Sequence, residues 1–289
     1  MNPSQLYAVI PDGPRALTLP AGARNIHELF DDLPLGVYTV LRTFEHEKFL
    51  RLDDHLDRLQ QSMTLLGWEY RLDRQRLRWA LHQVCRAYPA VDAQVRLDIL
   101  AQSVSWSGHG SRELIGLFPF SPIPEAAYRS GVRVAIAERL SRELPRAKQA
   151  QFARERRSYL QDSPDFFECL MLDQEGLILE GTTSNFYAVK DGVLWTAGSG
   201  VLEGVARKIV LDVAEDLAIP VRLEAVHVDE IGRLDECALS SSSRAIIPIV
   251  NVAGQTVADG RPGPVARRLL VAYNEYVAGA IKAAVNTEG

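Results

Sequence analysis

Leu177-Ile178-Leu179-Glu180-Gly181-Thr182-Thr183-Ser184-Asn185-Phe186-Tyr187-Ala188-Val189 is the stretch on which the fold turns. Three aliphatic residues make a short strand, which runs into an acid, a glycine and a string of hydroxyls. Apolar sequence resumes at Asn185 as the first arm of a hairpin, with Lys190-Asp191-Gly192 at its tip and 193–197 as the return strand. An ionised carboxylate at the end of a buried strand is unfavourable unless something pairs with it. Glu180 is therefore either a turn residue capping a backbone amide or an acid placed for a cationic ligand.

Working outward, Lys148 lies thirty-two residues before Glu180, in a chain with only five lysines against twenty-seven arginines. Lys48 and Lys190 fall in hairpin turns, Lys282 among alanines on the last helix, and Lys208 in the first turns of its own helix. Lys148 follows a strand and the loop Leu144-Pro145-Arg146-Ala147. A lysine that attacks an aldehyde must be largely neutral, which needs burial or cationic neighbours, and Arg146 is a candidate neighbour. Taken alone, a lysine belongs on the surface. Taken with Glu180, it suggests an aldehyde cofactor carrying a protonated ring nitrogen, and pyridoxal phosphate is such a molecule.

The phosphate of that cofactor needs donors. Gly200-Val201-Leu202-Glu203-Gly204-Val205-Ala206-Arg207 opens a helix with glycine before it, so backbone N–H groups can face an anion. Ser240-Ser241-Ser242-Ser243 supplies hydroxyls at a strand end, and Arg58 offers a forked guanidinium. Each of these has a plainer reading as a turn or a surface charge.

With 289 residues, 47% apolar and 24% charged, the composition is that of an ordinary globular protein. The net charge of −5 argues against a general nucleic-acid binder, and Arg154-Glu155-Arg156-Arg157 reads as a solvated helix face. Cys85, Cys169 and Cys237 form no CxxC pair, so neither structural zinc nor a disulfide framework is expected; no metal site is expected at all. No apolar run reaches the roughly 18 residues that cross a bilayer, and the N-terminus has no signal-peptide pattern. The expectation is a cytoplasmic protein without a membrane partner.

Gly36–Phe44 alternates as a strand, and Asp53-Asp54 offers an N-cap for a helix burying Leu56, Leu59, Met63 and Leu66. A second helix over 73–88 and strands over 94–101 and 113–118 complete an α+β unit. Three prolines in Pro119-Phe120-Ser121-Pro122-Ile123-Pro124 mark a linker. Beyond it come strands over 131–136, 166–172, 220–226 and 237–239 and helices over 148–160 and 203–217. A last helix is opened by Arg261-Pro262-Gly263-Pro264. The expected division is residues 1–120, a linker over 121–130, and residues 131–289.

In order and spacing these residues resemble the class IV, or fold-type IV, pyridoxal-phosphate enzymes. That family holds branched-chain aminotransferases, D-amino-acid aminotransferases and 4-amino-4-deoxychorismate lyases. The resemblance covers roughly residues 34–275. It rests on Gly36-Val37-Tyr38, His55-Leu56-Asp57-Arg58-Leu59, Lys148, Glu180-Gly181 with Ser184-Asn185-Phe186, Val201-Leu202-Glu203-Gly204-Val205, and residues 241–248. It implies a two-domain α/β fold, with a smaller N-terminal α/β domain and a larger C-terminal mixed β domain with helices. It also implies a homodimer with pyridoxal 5′-phosphate between its domains. By resemblance Lys148 is the Schiff-base lysine, Glu180 the ring-nitrogen partner, Arg58 a phosphate ligand and Leu202 a residue packed on the ring. The amides of Val205 and Ala206, with Ser241 and Ser242, would complete the phosphate cup.

Several positions depart from the family pattern. Ala206 stands where many members have threonine, and Thr39 replaces a glutamate that often follows the aromatic residue at position 38. Ala153 replaces a tyrosine typical of branched-chain enzymes, Arg244-Ala245 a small residue and glutamate, and Pro34-Leu35 an aspartate-glycine. These changes bear on substrate more than on cofactor.

The expected activity is transamination between an amino acid or amine and a 2-oxo acid, with Tyr38, Arg96 and Arg244 contacting substrate. An aminodeoxychorismate lyase is the alternative, kept open by Thr39. A fold relative without activity is the third reading, opposed by the presence of both Lys148 and Glu180.

Overall fold

The computed structural model describes residues 3–18, 26, 29–30, 33–107 and 110–284, which form two compact units. The first runs to Ser121 and also takes in Ala147–Arg154 and the chain from Ala280; the second comprises Pro122–Arg146 and Glu155–Gly279. These units differ from the division expected over 1–120, 121–130 and 131–289: the chain from Pro122 belongs to the second unit, and the chain from Ala280 to the first. Residues 147–154, with Lys148 among them, group with the first unit, because backbone bonds tie Lys148 into it. Residues 1–2 and 285–289, at the ends of the expected domains, lie outside the described residues.

In the first unit, β1 (Gln5–Ile10), β2 (Gly13–Ala16), β3 (Gly36–Phe44), β4 (Lys48–Phe49), β5 (Ala93–Leu100) and β6 (Glu113–Pro119) form an antiparallel sheet in the order β2-β1-β6-β5-β3-β4. Helices α1 (Leu52–Leu65) and α2 (Arg74–Ala87) join the core of Val37, Leu41, Val95, Leu97 and Ile99 through Leu56, Leu59, Met63, Leu77 and Leu81. Strand side chains alternate between faces, so Tyr38, Arg96 and Asp98 emerge on the face opposite these helices.

Two local expectations need correction. The N-cap of α1 is Arg51, left-handed at φ 48° and without a side-chain cap; Asp53 and Asp54 lie in the first turn, where acids complement the helix dipole. Strands β1 and β2 are additional to those expected, because Leu6–Ile10 is apolar at five successive positions and shows no alternation.

The second unit holds β7 (Val132–Ala137), β8 (Glu168–Leu172), β9 (Ile178–Gly181), β10 (Asn185–Lys190), β11 (Val193–Trp195), β12 (Val221–Arg222), β13 (Glu236–Ser241), β14 (Ala245–Val252) and β15 (Gln255–Thr256). Strand β9 pairs with β8 and, through Glu180 and Asn185, with β10; this closes the ring β10-β13-β14-β7-β8-β9. Strand β14 escapes a sequence reading because Pro248 interrupts its apolar run, and a proline ordinarily argues against an inner strand. The helices here are α3 (Glu125–Ser130), the part of α4 (Ala150–Gln161) from Glu155, α5 (Val205–Asp216), and α6 (Pro264–Ala284) up to Gly279.

Candidate active site

The predicted residues fall into two groups, one in each unit. In the first, Lys148 sits two residues before α4 with its main chain clamped on both sides. Its N–H donates to Ser62 Oγ at 3.1 Å, and its carbonyl accepts the Tyr38 N–H at 3.0 Å. Its Nζ lies 5.0 Å from the centroid of the Tyr38 ring. The Arg96 guanidinium lies 4.5 Å from the same ring and 4.1 Å from that of Phe30. Lys148, Tyr38 and Arg96 therefore share one aromatic surface.

Arg58 is buried and tied to this group through α1. Its Nη2 donates to Thr39 Oγ1 at 2.9 Å, and that hydroxyl is 2.7 Å from His55 Nδ1. Ser62 Oγ, which accepts from Lys148, donates to the Arg58 carbonyl at 2.7 Å. One helical turn thus connects the arginine to the lysine. Thr39 belongs to this scaffold, its hydroxyl shared between His55 and Arg58 on the α1 side of the sheet.

In the second unit Glu180 lies within β9, 2% exposed, because the strand runs two residues beyond the expected end at Leu179. Its Oε1 accepts from Arg142 Nε at 2.7 Å; its Oε2 accepts from Asn185 Nδ2 and the Leu202 N–H, each at 3.2 Å. Asn185 also donates to the Leu202 carbonyl at 2.9 Å. The β9–β10 register that pairs Glu180 with Asn185 thereby fixes the loop carrying Leu202. A Cβ on Gly204 would stand 2.1 Å from Asn185 Oδ1, so only glycine lets α5 begin here. Gly204 caps α5 without a side-chain bond, and Val205 and Ala206 open its first turn.

Ser241 ends β13 and Ser242 enters the turn to β14. Arg244 closes that turn and is engaged on three sides. Its Nε donates to Ser241 Oγ at 2.9 Å, its Nη1 to Glu168 Oε2 at 2.8 Å, and its Nη2 to Thr183 Oγ1. Glu168 Oε1 in turn accepts from the Thr183 N–H and from Ser184 Oγ at 3.0 Å. Burial alone would raise the Glu168 carboxyl, but Arg244 and the bonds from Thr183 and Ser184 outweigh it and hold it below its ordinary value. Arg244 is thus a brace between the 182–184 turn and the serine turn.

Arg146, expected as a cationic neighbour of Lys148, is half-exposed and pairs with Glu203 at 3.1 Å. Of the other lysines, Lys48 pairs with Glu45 and Lys190 with Glu230. Sequence reading missed Ser62, Arg142, Glu168 and the anchoring role of Asn185. Only Asn185 left a signal, its place in the motif at the start of β10. Among the described residues no group of three or more His, Cys, Asp or Glu could hold a metal, and no helix is long and apolar enough to cross a membrane. The three cysteines are buried and form no disulfide.

The model of the amino-transferase class IV family matches residues 36–252. A D-alanine aminotransferase of Staphylococcus haemolyticus is 37% identical over 102 residues, a match spanning 35% of this chain and 36% of that protein. A D-alanine aminotransferase of Bacillus licheniformis is 28% identical over 84% of this chain and 87% of its own length. Among solved structures, the branched-chain aminotransferase of the archaeon Thermoproteus uzoniensis with norvaline superimposes with a TM-score of 0.76 at 22% identity, covering 96% of this chain and 95% of that one. A bacterial branched-chain amino acid aminotransferase, that of Escherichia coli, gives 0.71 at 23%, over 92% of each chain.

Proposed function

We propose, since the chain belongs to the class IV aminotransferases, a pyridoxal-phosphate-dependent family, that it moves an amino group between an amino acid or amine and a 2-oxo acid. The residues present fit the cofactor. Glu180 is buried among three donors that hold and orient its carboxylate, as a partner for a cationic ring nitrogen requires. The start of α5 is stripped of any side chain at Gly204, which suits a phosphate. When bound, pyridoxal phosphate supplies an aldehyde for the substrate amine and a ring that accepts electrons.

The chain's own residues do the rest. Lys148 Nζ takes the proton from the substrate Cα as base and then, as acid, delivers it away from Cα, so that the amino group is left behind. Its main chain, held on both sides, fixes the point from which the side chain extends, and its Nζ lies beside the Tyr38 ring, which supports that assignment. Glu180 holds the proton on the ring nitrogen. Arg58, the Val205 and Ala206 amides, Ser241 and Ser242 bind phosphate, and Leu202 packs on the ring. Tyr38 and Arg96 are assigned to the substrate side, whereas Arg244, engaged by Glu168, is assigned to bracing. The protein works as a cytoplasmic homodimer in this reading.

The Glu180 donor set carries the reading. Pyridoxal phosphate followed by borohydride should label Lys148 and no other lysine, read by peptide mass spectrometry. An amino donor with 2-oxoglutarate should then give glutamate. Labelling without transfer to any 2-oxo acid, but with pyruvate released from aminodeoxychorismate, would favour the lyase instead.

A further inference from the structure

Arg96 and Asp98 are two residues apart on β5 and share the face that carries Tyr38, which stands opposite Asp98 in the register. Arg96 Nε donates to Asp98 Oδ2 and its Nη2 to Asp98 Oδ1, both at 2.8 Å. This is the side-on, two-bond fork with which a guanidinium grips a carboxylate. The Asp98 side chain is fully buried. Arg96 is further fixed by the rings of Phe30 and Tyr38, and the Tyr38 ring also carries Lys148 Nζ. An arginine beside the proposed reactive amine thus already holds a carboxylate, and that carboxylate belongs to the protein.

We propose that Asp98 is a specificity-determining residue, an internal carboxylate that occupies the side-on fork of Arg96 and biases the site toward amines without an adjacent carboxylate. The inference rests on the transaminase reading above, in which Lys148 and Tyr38 line the substrate side. Burial pushes the Asp98 carboxyl above its ordinary value against the pull of the Arg96 fork. In the charged, paired form a substrate carboxylate approaching Arg96 meets a neutralised pair rather than a cation, and it brings a second negative charge beside the first. Like charges so juxtaposed weaken binding strongly. The consequence is a low preference for amino acids over primary amines of similar shape, such as alanine against sec-butylamine. Asp98 does not touch the reacting atoms; it acts through Arg96.

The test uses holoenzyme and compares kcat/KM for an amino acid with kcat/KM for the matched primary amine. In Asp98→Asn the amide keeps the shape and removes the charge, and the amino-acid-to-amine ratio should rise about tenfold or more. Most of the change should fall in KM. Adding Arg96→Met should abolish the gain, which identifies Arg96 as the recipient. Propionate serves as a substrate-free probe: its Kd, measured by calorimetry, should fall by a similar factor in Asp98→Asn. Should the asparagine variant fail to fold, Asp98→Ser gives the same readings. A ratio and propionate affinity that stay level or drop would overturn the proposal and make Asp98 a support for carboxylate binding. Borohydride labelling of Lys148 in each variant separates the two failures. Absence of labelling in the parent enzyme defeats the transaminase reading, whereas labelling with level ratios defeats only the role of Asp98.

Discussion

At the scale of single residues, the site is built from side chains that each hold another in place. Glu180 is held in place by Arg142, Asn185 and the Leu202 amide. Glu180→Gln should therefore slow Cα proton removal by about 10²-fold or more while changing substrate binding little, as stopped-flow half-reactions would show. Unchanged half-reaction rates would refute the assignment. Lys148→Ala should lose at least about 10²-fold in turnover yet keep its circular-dichroism spectrum. Asn185→Ala removes the donor shared by Glu180 and the Leu202 carbonyl, and should cost about 1–3 kcal/mol of stability in urea titrations. Lys148 and Glu180 were legible in the sequence because their chemistry is rare and their setting awkward. Arg142 was not, since an arginine in a loop carries no mark of the carboxylate it will meet.

At the scale of elements, two hydrogen-bonded braces stand out. Ser62 on α1 accepts the Lys148 N–H and donates to the Arg58 carbonyl from a fully buried position. Ser62→Ala should lower stability by about 1–3 kcal/mol, because a buried donor loses its acceptor. It should also raise the KM for cofactor, a reading that a purely structural serine would not move.

The second brace is Glu168 on β8 with Arg244 at the β13–β14 turn. The Glu168 carboxyl is held below its unfolded value, so the unfolded chain takes up the proton first as pH falls. The stabilisation is complete above the unfolded value, about pH 4.5, and is lost as pH drops through the lower folded one. Glu168→Gln should flatten the acid side of a stability-against-pH profile, and Arg244→Met should cost about 3–5 kcal/mol by leaving a buried charge uncompensated. The sequence showed β8 as a strand but held no reason to pair its first residue with a turn residue seventy-six positions on.

At the scale of the whole molecule, a cofactor that binds only folded protein stabilises it by mass action. At a hundredfold excess over Kd the gain is about 2.7 kcal/mol. Pyridoxal phosphate should raise the melting temperature of the parent chain, and raise that of Lys148→Ala by less, in a thermal-shift titration. Equal shifts would detach Lys148 from cofactor binding.

By itself the sequence determined the family, the α+β character of the first unit, the β-rich second unit, and the amine and acid proposed to carry the chemistry. These are local facts: periodicity, turn residues and spacing are written in adjacent positions. Only the tertiary structure decided that Lys148 is clamped by α1 and β3, that Thr39 serves Arg58, that Arg244 is a brace, and that Arg96 is gripped by Asp98. Each depends on where side chains end up once strands pair and helices pack, and a charged side chain takes the partner that burial brings to it.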